Sequence, residues 1–230
     1  MSTVVLCGSL GSSSEMWEPQ RAALGQRFDV VATEHPGHGG APVADVRDIG
    51  DLARYVLEQV AADRFSFVGL SLGGAVAMQL ALDAPERIDR LALLCTSAYF
   101  GPPAGWRERA ALVRAEGLEA IVDVVLARWF TPGFPDLPRY REMFLATDPQ
   151  GYARCCDAIA GWDARDAVAG IVAPTLCVAG GDDPSTPPEH LELLASRIPG
   201  ARLEVFPGAR HLANVEHADD VNRLLLEHLA

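Results

Sequence analysis

A serine hydroxyl set between glycines, in Gly69-Leu70-Ser71-Leu72-Gly73, is the group whose surroundings best suit covalent chemistry. The pattern G-x-S-x-G is weak by itself and gains weight only from its context. Here an apolar run, Phe65 to Leu70, leads straight into it, and a helical pattern, GGAVAMQLALDAP, leaves it. A serine between strand and helix sits on a tight, strained turn that lifts its hydroxyl above the sheet. The flanking glycines let backbone pass close to that turn, and Gly74 and Ala75 keep the helix start slim. The plain alternative is a glycine-rich connection with no chemistry.

A serine hydroxyl is a poor nucleophile until a base takes its proton. Of six histidines, His211 in GARHLANVE follows the last apolar run and precedes an amphipathic helix, where a sheet returns a side chain to its rim. His38, in PGHGG, reads as a shaper of a loop near the site. His190, His217 and His228 lie among charges on helical patterns and are expected in solvent. The acid that orients the base should follow a strand and lie between Ser71 and His211 in the chain. AGGDDPSTPP offers Asp182 and Asp183. Asp183 is favoured because the prolines after it fix the turn, and a local capping role suits Asp182. Such a carboxylate holds the imidazole tautomer and stabilises the imidazolium.

An oxyanion needs donors as well. The amide of Leu72, after the nucleophile, is one. The loop Gly8-Ser9-Leu10-Gly11 supplies the other, with Leu10 the choice by position. Each such donor contributes about 3 kcal/mol to the transition state. The same loop also reads as a helix entry with Ser12 to Ser14 as capping candidates, and the two roles are compatible.

These residues require a framework. Apolar runs at Thr3 to Cys7, Phe28 to Glu34, Phe65 to Leu70, Arg90 to Ser97, Thr175 to Gly180 and Ala201 to Phe206 alternate with helical patterns. One such pattern, DIGDLARYVLEQVAA, places Ile49, Leu52, Ala53, Val56, Leu57 and Val60 on one face. Strands alternating with helices predict an α/β fold with a parallel sheet covered on both faces. The stretch from Tyr99 to Arg165 breaks the rhythm and reads as a helical cap inserted after the fourth strand. The chain therefore divides into a core over 1–98, a cap over 99–165, and the rest of the core over 166–230.

At 230 residues the chain can bury a substantial core. Its net charge of −12 argues against nucleic acid or an anionic membrane as partner, though not against a small anionic substrate. All 19 basic residues are arginine. No apolar run is long enough to span a membrane, and the N-terminus lacks a signal-peptide pattern. A cytoplasmic location is expected. The five cysteines, Cys7, Cys95, Cys155, Cys156 and Cys177, show neither a disulfide framework nor zinc spacing, and reduced thiols are expected.

The sequence as a whole resembles the 3-oxoadipate enol-lactonases of aromatic catabolism, the β-ketoadipate pathway. The matching stretches are GSLGSSSEMWEPQ, HPGHGG, VGLSLGGAVAMQLAL, RWFTP, GYARCCDAIA, AGGDDPSTPPEH and HLANVE. GLSLGG and HPGHGG occur across many α/β-hydrolases, whereas RWFTP and GYARCCDAIA lie in the cap and are more specific. The resemblance places a catalytic triad on Ser71, Asp183 and His211 and an oxyanion leucine at Leu10. It implies lactone opening through an acyl-enzyme, with no cofactor and no metal. The lactone carries a carboxylate, for which Arg128 and Arg154 are candidates, with Trp129 as an apolar wall.

The chain departs from the family twice. The family's first two strands, an antiparallel pair, have no counterpart before Thr3, which predicts an exposed sheet edge protected by a covering segment or a homodimer. Ala160 stands where the family often has an arginine, so another group must hold the carboxylate, or the substrate differs. A carboxylesterase, a carbon–carbon bond hydrolase and a cofactor-free perhydrolase share the triad and stay open as alternatives. A dehalogenase or epoxide hydrolase would carry aspartate in place of Ser71. A binding protein that kept only the fold would be expected to have lost a triad member.

Overall fold

A computed structural model describes all 230 residues. Six strands form one sheet: β1 (Thr3–Cys7), β2 (Asp29–Thr33), β3 (Phe65–Leu70), β4 (Ile88–Leu94), β5 (Thr175–Gly180) and β6 (Arg202–Phe206). Their spatial order is β2-β1-β3-β4-β5-β6, and every pairing is parallel. The outer edge of β2 has no strand partner, the exposed sheet edge that the sequence predicts.

The interior strands β3 and β5 are buried along their whole length, as continuous apolar runs require when both sheet faces are covered. The edge strands β2 and β6 are partly exposed. Among the covering helices, α1 (Glu18–Leu24) packs on α10 (Ala218–His228), and α2 (Ile49–Leu57) packs on α3 (Leu72–Asp83). Asp48 caps α2 by accepting from Asp51 N at 2.8 Å. The α2 pattern continues to Ala62 in the sequence, but the helix closes at Leu57 and turns through Gln59 and Val60.

Between β4 and β5 lie four helices: α4 (Pro103–Glu116), α5 (Val122–Trp129), α6 (Leu137–Leu145) and α7 (Pro149–Ala160). Helices α4 and α7 pack along each other, and aromatic contacts join Trp129, Phe144 and Tyr152. The two ends of this insertion meet. Trp162 Nε1 donates to Ser97 O at 3.1 Å, and Ala164 N donates to Ala98 O at 2.8 Å. The chain completes with α8 (Pro188–Arg197), the short α9 (Ala213–Glu216) and α10.

In a parallel sheet, loops after the strand C-termini share one rim, and ligands bind there. Gly8–Gly11 after β1, Ser71 after β3, Asp183 after β5 and His211 after β6 are all brought to that rim, beneath the insertion. All five cysteines are buried and unbridged, and burial pushes the Cys7 and Cys177 thiols up to about 12. No helix is long and apolar enough to cross a membrane. Of the three histidines expected in solvent, His190 and His217 are half-buried and His228 is buried, its Nε2 3.0 Å from Leu91 O and its pKa lowered by burial. It faces the sheet because α10 turns Val221, Leu224, Leu225 and His228 inward together.

Candidate active site

Ser71 stands between β3 and α3 at φ 57°, ψ −114°, a strained region for any residue with a side chain. Its neighbours hold it there. Ser71 N donates to Leu94 O at 3.0 Å, and Thr96 Oγ1 donates to Ser71 O at 2.6 Å. The turn passes so close to β1 that a Cβ at Gly73 would lie 2.0 Å from Cys7 O. At Gly69 it would lie 2.3 Å from Gly73 O. Both glycines of the motif are therefore steric requirements.

Asp183 and His211 are both 3% exposed. Asp183 Oδ2 accepts from His211 Nδ1 at 2.7 Å and from Thr186 Oγ1 at 2.7 Å, while Oδ1 accepts from Ser185 N at 2.7 Å. Burial works to raise the Asp183 carboxyl. The charge of His211 and these hydrogen bonds outweigh it, leaving the pKa below its ordinary value. With Nδ1 committed to the carboxylate, Nε2 is the ring nitrogen left to act as base. Asp182 is exposed and turns away; only its backbone N–H is engaged, on Ala209 O. His211 and Ser71 line one cavity without a direct hydrogen bond, a contact that commonly tightens only as reactant is held.

The loop after β1 is pinned on both sides of Leu10. Gly8 O accepts from Gly73 N at 2.9 Å and from His35 Nε2 at 2.9 Å. Ser9 O accepts from Ser12 N at 3.1 Å, and Gly11 N donates to His38 Nε2 at 3.0 Å. His38 Nδ1 in turn donates to Pro36 O at 2.9 Å. Burial drives His35 down to about 4; burial and the neighbouring His35 drive His38 down to about 3. Both rings are thus neutral, and His38 shapes the loop as its position in PGHGG suggests. Between these anchors the Leu10 amide donates to nothing, and neither does that of Leu72 at the start of α3. Leu10 and Ser71 share the cavity. A strained serine after a buried strand, a fixed His–Asp pair and two unspent amides on one sheet rim coincide with a sequence match. Residues 2–218 fit the alpha/beta hydrolase fold family.

The chain belongs to the α/β-hydrolase family.

Its relatives narrow the kind of hydrolase. It is 33% identical over 228 residues to 3-oxoadipate enol-lactonase 2 of Acinetobacter baylyi, covering 95% of this chain and 85% of that one. The crystal structure of the enol-lactonase from Burkholderia xenovorans superposes with a TM-score of 0.95 at 36% identity, over 99% of this chain and 91% of the other. An esterase from Thermogutta terrifontis, solved with malate bound, superposes with a TM-score of 0.92 at 27% identity, over 99% and 89% of the two chains.

The insertion supplies the other wall of this hydrolase's cavity, a space of about 110 Å³ suited to a small molecule. Phe100, Trp106, Arg109, Val125, Arg128 and Trp129 face it. Trp129 and Arg128 stand where the sequence reading set them. Arg154 does not: it lies on the far side of α7 and pairs with Asp45. The missed residue is Arg109, whose guanidinium carbon lies 4.9 Å over the Trp106 ring. Helical spacing puts Trp106 and Arg109 on the same stripe of α4 as the buried Ala110 and Val113, and the packing of that stripe turns Arg109 to the cavity. Neither Arg109 nor Arg128 has a carboxylate partner. Burial and then the like charge of Arg109 lower the Arg128 pKa. Thr186, also missed, lines the cavity and donates to Asp183. Tyr152 completes the lining, its phenol pushed up by burial and so neutral.

Proposed function

We propose that this enzyme opens the ring of 3-oxoadipate enol-lactone to give 3-oxoadipate, by way of an acyl-enzyme on Ser71. One observation carries the reading. A single small cavity has Ser71 and His211 on its sheet wall and two guanidinium groups without carboxylate partners on its cap wall, in a chain of net charge −12. A buried carboxylate seeks charge-assisted donors, and Arg109 and Arg128 are such donors. The similarity to two enol-lactonases supports the same substrate.

His211 Nε2 takes the Ser71 proton as Oγ attacks the lactone carbonyl. The oxyanion receives the amides of Leu10 and Leu72. The ring C–O bond breaks, the enol oxygen takes the proton from His211, and the acyl group stays on Ser71. Water then gives a proton to His211 and attacks the acyl carbonyl. Oγ leaves with that proton, and the enol released in the first step settles as the ketone. Asp183 holds the imidazole throughout.

The test is hydrolysis of the lactone, generated in place and followed by its ultraviolet loss, with Ser71→Ala as control. Rapid loss that vanishes in the variant is expected. The similarity to a Thermogutta esterase supports a second reading, a carboxylesterase for another small carboxylate-bearing ester. Absence of lactone loss alongside active hydrolysis of such esters would replace the first reading with the second.

A further inference from the structure

Two motifs, RWFTP in the cap and HLANVE after β6, meet on a side chain that the mechanism leaves unused, Glu216. Glu216 Oε1 accepts from Thr131 N at 2.7 Å and from Thr131 Oγ1 at 2.6 Å. Its other oxygen, Oε2, accepts from Arg210 N at 2.9 Å. Thr131 follows the C-terminus of α5, and Arg210 immediately precedes His211. The Arg210 side chain reaches back to the same helix end and donates to Ala127 O and Phe130 O. The backbones join as well: His211 N donates to Arg128 O at 3.4 Å, and Leu212 N to Trp129 O at 3.1 Å. On its far side the loop rests on β5, where a Cβ at Gly180 would lie 2.4 Å from Arg210 O.

We propose that Glu216 is a positioning residue that clasps the C-terminal end of α5 to the His211 loop, so that the base and the substrate-facing Arg128 and Trp129 are set as one unit. This rests on the reading of Ser71, His211 and Asp183 as the catalytic groups. The argument is geometric. The carboxylate spends both oxygens on three donors from the two segments, and it is the one side chain that receives N–H groups from both. Arg128 and Trp129 lie at the very helix end that is held. Loosening the clasp therefore moves two things together: His211 relative to Ser71 and Asp183, and the guanidinium of Arg128 relative to the substrate. Misplacement of about 1 Å at reacting groups costs up to about 100-fold.

The experiment compares wild type with Glu216→Gln, Glu216→Ala and Thr131→Val. p-Nitrophenyl acetate serves as a neutral ester and the enol-lactone as an anionic substrate, with fluorophosphonate labelling of Ser71 and a thermal melt for each protein. Glu216→Ala is expected to lower kcat on both substrates by about 10- to 100-fold. It should raise KM for the lactone but not for the acetate. Gln keeps an acceptor for Thr131 but turns an NH2 toward Arg210 N–H, so it should fall between. Thr131→Val removes one donor of three and keeps the shape, so it tests the clasp even where the alanine variant fails to fold. Variants that melt lower yet keep wild-type kcat and KM on both substrates would overturn the proposal and leave Glu216 a brace. A wild type that neither hydrolyses p-nitrophenyl acetate nor labels at Ser71 would instead overturn the catalytic reading beneath it.

Discussion

The two walls of the cavity are built on opposite principles. On the sheet wall, the Asp183 carboxylate is saturated by three donors, and buried histidines pin the loop after β1. On the cap wall, Arg109 and Arg128 are charged, without carboxylate partners and only partly shielded, beside the half-buried Phe100 and Trp106. Saturated polar groups have one arrangement and hold catalytic geometry. Unsaturated charges wait for a partner and select it. The division suggests that chemistry belongs to the sheet rim and choice of substrate to the insertion, and each half can be attacked separately.

The largest effect should come from the sheet wall. Ser71→Ala removes the nucleophile and should lower kcat by about 10⁴-fold or more for the lactone and for a neutral ester alike. Retention of even a tenth of wild-type activity on either substrate would mean that another group attacks, and the assignment of chemistry to this wall would fail.

The same wall should fail in acid. His35 and His38 are buried neutral, with pKa values near about 4 and about 3, against about 6.5 when unfolded. Below pH 6.5 the unfolded chain takes protons that the folded one refuses, so stability falls as pH falls. The loss is complete for His35 below about 4 and for His38 below about 3. Between pH 7 and 5 the pair should cost on the order of 3–4 kcal/mol. The depressed Asp183 carboxyl adds to the loss only below its ordinary range near 3.8. Urea midpoints at the two pH values, in wild type and in His38→Gln, measure this; an unchanged midpoint in wild type would show that the histidines are not held neutral.

The contrast between the walls also explains what could be read in advance. Strands β1, β3 and β5 have the limits that their apolar runs predict, because burial on both faces leaves an uninterrupted signal. The fourth strand was expected to run to Ser97 but stops at Leu94. Cys95 adopts φ 40° there, a backbone turn that an apolar, strand-prone composition conceals. The convergence of Ser71, Asp183 and His211 on one sheet rim is legible because chain order and strand ends constrain them. Arg109 and Arg154 were not separable by composition. Both are cap arginines near aromatic residues, and only the packing of α4 against α7 decides which guanidinium turns inward.

On the cap wall, Arg109→Met and Arg128→Met keep an apolar stem and remove the charge. Each should raise KM for the anionic lactone by about 10- to 100-fold, the loss of about 1.5–3 kcal/mol from charge-assisted hydrogen bonds. Hydrolysis of p-nitrophenyl acetate should stay within about twofold, since uniform binding of an absent carboxylate contributes nothing there. Equal losses on both substrates would erase the boundary between the walls.

The smallest effect sharpens the same boundary. Arg154 shares helix α7 with Tyr152, which lines the cavity, yet it turns outward to an exposed ion pair with Asp45. Surface pairs of this kind contribute about 0–1 kcal/mol. Arg154→Ala should therefore shift stability by less than about 1 kcal/mol and leave KM for the lactone unchanged. Paired with Arg109→Met, it asks whether recognition follows the facing of a charge or merely its presence in the cap. Were Arg154→Ala to raise KM as much as Arg109→Met, the field of the whole insertion would be attracting the anion. A difference of tenfold or more would place recognition in direct contact at the cavity wall.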